Sequence, residues 1–312
     1  MNLLLDFTQE ISMFHRQSLH RVALCMAFVF IGATASTADS PLNIYVVNYP
    51  LKYFAERIGG PHVKVTFPVP ADVDPVYWTP EVAEIGAYQQ ADLILLNGAG
   101  YAKWVGKVSL PRSRTIDTSR EFKDRYLTVK ETMTHSHGAK GKHAHEGPAF
   151  TTWLDLSLAA KQAEAVFGAL ARKRPQQKDT FMANFLSLKN DLLTLDSRIK
   201  SVVSNRNTVP MIFSHPVYEY LAKGYGLNGR SVHWEPDQEP SPGQITELSN
   251  VLEMHPAQWM IWEGPPITSA TENLKTMGIR SAVFDPCGNV PPEGDFLSVM
   301  QRNVSNLEPI FR

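Results

Sequence analysis

The chain is nearly devoid of cysteine: of 312 residues only 2 are Cys, at Cys25 and Cys287. It also lacks an excess of charge of either sign, with a formal net charge of -1 at pH 7. Neither nucleic acid nor an anionic membrane surface is therefore expected as a partner. Motifs of catalysis are missing as well. There is no Gly-x-Ser-x-Gly elbow, no His-Glu-x-x-His and no phosphate-binding glycine loop. Ser214 and His215 are neighbours, but strand alternation would send them to opposite faces, so they do not make a nucleophile–base pair. No enzymatic activity is expected. Long apolar runs are absent too: residues 22–31 form an apolar stretch well short of the roughly 20 residues that span a bilayer.

That short stretch has a different reading. A weakly basic segment with His15, Arg16, His20 and Arg21 precedes it, and the small residues of 33–38 follow it. The pattern is that of a cleaved secretory signal over residues 1–38, with Met13 an alternative start. Cys25 lies within the apolar run behind Leu24, where a lipoprotein signal would place a small residue, so a soluble periplasmic protein is expected rather than a lipid-anchored one. Cleavage would leave Cys287 alone and allow no internal disulfide, so stability must come from the core.

What is present is an ordinary globular balance, 43% hydrophobic and 20% charged, with 22 prolines. The length suits two lobes. A β-rich run at 43–49, closed by Pro50, precedes a short helix at 51–58. A second strand at 63–69 leads into a loop at 70–80. A helix over 81–90 follows with Pro80 at its first position, and then a doubly apolar strand at 92–98. Strand and helix alternate at the spacing of βα units. The alternation resumes with strands at 209–214, 229–234, 259–263 and 282–284 and helices at 217–225, 242–255 and 268–277. Between the two runs lie helices at 155–172 and 176–203. The second carries Phe181, Phe185, Leu188, Leu192, Leu195, Ile199 and Val202 at alternating spacings of four and three, all on one face. Such a helix would be about 40 Å long, enough to span two lobes. Its alternative use is a coiled-coil dimer.

The expectation is thus an α/β chain of two Rossmann-like lobes, each a mostly parallel sheet flanked by helices, joined by one long rigid helix. The division is an N-terminal lobe at 39–175, the interlobe helix at 176–203 and a C-terminal lobe at 204–312. Residues 135–147 interrupt this pattern. They contain His135, His137, His143 and His145 and no apolar periodicity, so they read as a solvated loop outside any core. The two His-x-His pairs can chelate a metal loosely, at an entropic cost for ordering the loop. The plainer alternative is a polar insert without a role.

In sequence order, this chain resembles the periplasmic receptors of zinc and manganese ABC importers, solute-binding proteins with a rigid helix between their lobes. The resemblance runs through Asp74-Pro75 to Pro80, Ala91-Asp92-Leu93 with Asn97-Gly98, the His-rich insert, Trp153-Leu154-Asp155, Phe213-Ser214-His215 to Tyr220, Glu239-Pro240-Ser241 and Phe284-Asp285-Pro286. It covers essentially the whole mature chain. It implies a monomer that binds Zn²⁺ or Mn²⁺ in the interlobe cleft as transported ligand and delivers it to an ABC permease in the inner membrane. In the family three imidazoles and one carboxylate hold the ion. Here the first and second ligand positions are Val76 and Thr151, neither a normal zinc ligand, while His215 and Asp285 keep coordinating groups. His233 and Glu263 are candidate substitutes, as are Glu239 and Cys287; Cys287 would share the face of Asp285 on a strand. Tyr77, Trp78 and Trp234 crowd the same landmarks together with Val76 and Thr151. A second reading follows from them: a diverged member that has lost cleft metal and binds a flat or cationic organic ligand among these aromatics, or serves as an accessory protein in metal homeostasis.

Overall fold

The computed structural model describes residues 40–312 apart from 130–133, 137–141, 145–146, 205 and 207, and only the backbone of 134–136 and 142–144. Residues 1–38, read above as a signal, lie outside the described residues, as do Cys25, His137 and His145. Residues 41–312 form one unit.

Two sheets of four parallel strands organise it. In the first, the order is β2 (Val63–Thr66), β1 (Leu42–Val46), β3 (Leu93–Leu96), β4 (Thr115–Asp117). In the second, β10 (Asn228–Ser231), β9 (Pro210–Phe213), β11 (Trp259–Trp262) and β12 (Arg280–Val283) repeat that order. The helices α1 (Tyr49–Gly59) and α2 (Val82–Gln90) belong to the first run. The helices α3 (Leu156–Lys173) and α4 (Lys178–Val203) follow it. The second run supplies α5 (Glu219–Tyr225), α6 (Pro242–Met254), α7 (Thr268–Thr276) and the terminal α8 (Phe296–Phe311).

Period-two alternation explains how the second sheet buries both faces. Met211, Phe213, Trp259 and Ile261 join the main core. Ile212, Met260 and Trp262 point the other way, into a smaller core with Val232, Trp234, Leu248 and Leu274. A sheet with apolar clusters on both faces needs helices on both sides, as in doubly wound folds.

The long helix α4 buries Phe181, Phe185, Leu188, Leu192, Leu195 and Ile199 as expected, but its last inward residue is Val203 rather than Val202. Its 26 residues correspond to about 40 Å. Phe185 stacks on Phe167 of α3, with ring centroids 5.3 Å apart. The helix α8 had no counterpart in the sequence reading. It packs on α4 and returns the chain to the first half, where Phe296 meets Tyr53 and Phe54 of α1. The last residues of the expected C-terminal lobe thus pack against the N-terminal one.

Other boundaries move for identifiable reasons. The strand expected over 43–49 ends at Val46, because the Asn48 side chain accepts the Leu51 N–H and starts α1, leaving Pro50 inside the first turn rather than closing a strand. Pro80 is not the first residue of α2: Glu81 is the cap, and its capping box with Glu84 sets the start one residue later. The His-rich segment contains regular backbone after all. β5 (Thr128–Val129) pairs antiparallel with β8 (Gly147–Pro148), and between them β6 (Thr134–Ser136) and β7 (Lys142–Ala144) pair antiparallel with His135 opposite His143. A hairpin needs only backbone partners, which an apolar-periodicity argument does not see.

The two halves are tied by specific bonds. The Thr151 hydroxyl donates to the Val217 carbonyl at 2.6 Å, Trp153 Nε1 to the Pro286 carbonyl at 2.7 Å, and the Tyr49 N–H to the Gly288 carbonyl at 3.0 Å. Asn289 Nδ2 donates to the carbonyls of Pro70 at 2.8 Å and Val73 at 2.9 Å. The loop after β2 is thereby pinned beside the segment after β12.

Candidate metal centre

The candidate site is built at the carboxyl ends of the second sheet. Parallel strands all end on the same edge, so residues just past them converge there, and in open α/β sheets ligands bind in that crevice. His215 lies two residues past β9, His233 two past β10, Asp285 two past β12, and Glu263 one past β11. The backbone fixes these exits: Ser214 N–H donates to the Ile261 carbonyl at 2.8 Å, and Trp234 N–H to the Ser214 carbonyl at 2.7 Å.

Among the described residues, His215, Glu235 and Glu263 form a group whose potential ligand atoms all lie within 4.8 Å of one another. His215 Nδ1 is 3.6 Å from a Glu235 carboxylate oxygen and 3.9 Å from one of Glu263. His215 is buried, whereas Glu235 and Glu263 keep 23% and 26% of their side chains exposed, so the group opens toward solvent on its acidic side. Burial, and then the charges of Glu235, Asp74, Asp285 and Asp237, push the Glu263 carboxyl up to about 8. Water at its exposed edge screens part of that repulsion. A divalent ion would relieve the repulsion among these carboxylates, and one imidazole with two carboxylates is a competent donor set for Zn²⁺ or Mn²⁺.

Of the expected site residues, the structure brings His215 and Glu263 together and adds Glu235. His233 stands beside them, its ring edge-on to His215 with centroids 5.5 Å apart, but it is not part of the compact group. Asp285 is not part of it either. One of its carboxylate oxygens accepts the Cys287 N–H at 2.6 Å, and its strand is one further from β9. Burial raises its carboxyl, partly offset by that bond. Cys287 does not extend a strand with Asp285: it is buried at φ 56 in the segment after β12, and burial pushes its thiol pKa up. Glu239 is exposed in its loop, outside the group.

The residues expected to line a cleft divide. Val76, Trp78 and Trp234 are buried core residues. Trp78 packs edge-on against Trp104 with centroids 6.2 Å apart, and Trp234 lies tilted against Trp262 at 6.1 Å. Tyr77 and Thr151 line a small cavity of about 20 Å³ together with Lys103, Phe150, Val217 and Glu219. That volume admits water and not an organic ligand. Glu235 escaped the sequence reading because its partners are 20 and 28 positions away. The usable signal was the common offset of His215, His233 and Asp285 from their strand ends.

The family described as zinc-uptake complex component A, periplasmic (ZnuA), matches residues 44–309. The chain is 25% identical over 303 residues to the zinc-binding lipoprotein AdcA of Streptococcus pneumoniae (strain R6), covering 93% of this chain and 60% of that protein. It is 24% identical over 310 residues to the high-affinity zinc uptake system protein ZnuA of Bacillus subtilis (strain 168), covering 92% and 95%. The chain thus spans about 60% of the length of the AdcA relatives it matches. In fold it is similar to the metal-dependent lipoprotein YcdH of Bacillus subtilis, with a TM-score of 0.74 at 20% identity over 87% of this chain and 100% of that one. It is also similar to Zn(II)-bound AdcA of Streptococcus pneumoniae, with a TM-score of 0.72 at 22% identity over 87% and 58%. With most of its length matched by a family defined by metal uptake and not by a reaction, the chain belongs to the ZnuA family.

Proposed function

We propose that the protein is the solute-binding component of an ABC importer for a divalent cation, zinc before manganese, and that the cation binds at His215, Glu235 and Glu263. The observation that carries this reading is the convergence of those three side chains within 4.8 Å at the ends of adjacent parallel strands. Family membership and the zinc-binding names of the relatives support it. Zinc is preferred over manganese by the ordinary order of divalent affinities, although two carboxylates make the site hospitable to the harder ion as well. The protein would act in the periplasm, exported by residues 1–38, and hand its ion to a permease in the inner membrane. Among the described residues no helix is long and apolar enough to cross a membrane.

The organic-ligand alternative loses its main support, since Trp78 and Trp234 are packed in cores. Native mass spectrometry of protein recovered from its own cell envelope tests the proposal. One divalent metal per chain is the expected result; a metal-free chain carrying an organic adduct would replace it with the alternative.

A further inference from the structure

Of the three proposed donors, Glu235 lies furthest from its strand, four residues past β10. Its loop must therefore be held by something other than the sheet. Both ends of that loop meet one side chain, Gln244 of α6. Before Glu235, Gln244 Nε2 donates to the His233 carbonyl at 2.5 Å. After it, Gln244 Oε1 accepts the Ser241 N–H and the Ser241 hydroxyl, each at 2.9 Å. We infer that Gln244 is a positioning residue of the metal site: it clips the loop shut and so holds the Glu235 carboxylate against His215 and Glu263. The inference rests on the reading of His215, Glu235 and Glu263 as a metal site.

The loop has little else to shape it. Beyond the buried Trp234, the residues Asp237, Gln238 and Glu239 are exposed, and Glu235, Pro236 and Pro240 are only half-buried. Hydrogen bonds rather than packing therefore set its course. At its middle the Pro236 carbonyl accepts the Ile267 N–H at 2.8 Å, which ties it to the segment that leaves β11 through Glu263. With that bond beside Glu235 and the clip across the loop ends, one connected set of bonds holds both glutamates. The chemistry of Gln244 separates this task from helix capping. As the third residue of α6 it forms a capping box with Ser241, whose hydroxyl oxygen accepts the Gln244 N–H at 3.3 Å. A capping box needs only an acceptor on that side chain, and glutamate serves there as well as glutamine. The His233 carbonyl needs a donor, which the amide has and a carboxylate lacks.

The test uses the full mature chain with Gln244→Glu and Gln244→Met, read by zinc titration against a competing chelator and by the visible absorption of bound Co²⁺. The glutamate keeps the cap and loses the donor, so the metal-free protein should melt near the wild-type temperature. The methionine fills a similar volume, loses both and should melt lower. Each variant should bind zinc about tenfold or more weakly, as loss of a ligand-orienting partner does, and each should shift the Co²⁺ spectrum. A residue that only capped α6 would instead give an affinity that follows melting temperature. Wild-type affinity and spectrum in either variant overturns the role of Gln244, provided His215→Ala has lost the site. If His215→Ala also binds as the wild type does, the metal-site reading itself falls.

Discussion

At the scale of single residues, Glu263 is the group whose state should report on the site. Its carboxyl is raised from an ordinary 4.5 to about 8. The folded protein therefore binds a proton there that the unfolded chain releases at lower pH, and this contribution to stability is present below about pH 4.5 and fades as pH rises toward 8. The metal-free protein should melt at progressively lower temperature across that window, and Glu263→Gln should flatten the decline while weakening zinc binding. Thermal melts of both proteins from pH 5 to pH 8.5 check this; a wild-type curve parallel to that of the variant contradicts the assigned environment. A coordinating carboxylate must also shed its proton, so zinc uptake below pH 8 should release protons. His215 was legible as a candidate from its motif, and Glu263 only as one of several possible substitutes at a loop edge. Glu235 was not, because a contact between three separate strands leaves no local pattern. Trp78 and Trp234 show the reverse failure. An aromatic beside a landmark looks like a cleft wall in sequence, but tertiary packing decides which way a loop residue faces, and both face cores.

At the scale of elements, the helix α4 joins the two sheets in sequence and shares its buried stripe with α1, α3 and α8. Leu188 is fully buried near its middle. Leu188→Ala should cost about 2–5 kcal/mol of folding stability, the usual range for a large-to-small change in a packed core. Denaturant unfolding measures it, and a cost under about 0.5 kcal/mol, as at a typical surface site, would mean that the stripe is not the core element described. The four-and-three spacing made this helix readable. The terminal helix α8 was equally readable in principle: Asp295 caps it, and Phe296, Val299, Met300, Val304 and Leu307 recur at helical spacing. Strand β4 was not, since three residues with half-buried side chains carry too little alternation to register. Helix starts moved by one or two residues because caps such as Asn48 and Glu81 act through side-chain bonds that compete with proline signals nearby.

At the scale of the whole molecule, the bonds from Thr151 to Val217, Trp153 to Pro286 and Tyr49 to Gly288 tie the two halves together. With His215, Glu235 and Glu263 all at the ends of one sheet, loading the ion does not require a wide closure of one half on the other. Small-angle scattering of metal-free and zinc-loaded protein should give the same radius of gyration within error; a clear contraction would show that closure accompanies binding. The parallel sheets of the two halves were legible from the βα alternation, while the return of α8 to the first half was not, because no local pattern specifies a distant packing partner. Isothermal titration of the purified mature chain with Zn²⁺, wild type beside His215→Ala, asks whether the chain binds a divalent ion through His215 and its two glutamates although positions 76 and 151 carry no imidazole. One tight site per wild-type chain that is absent from the variant is expected; an identical tight site in both proteins would overturn the assignment.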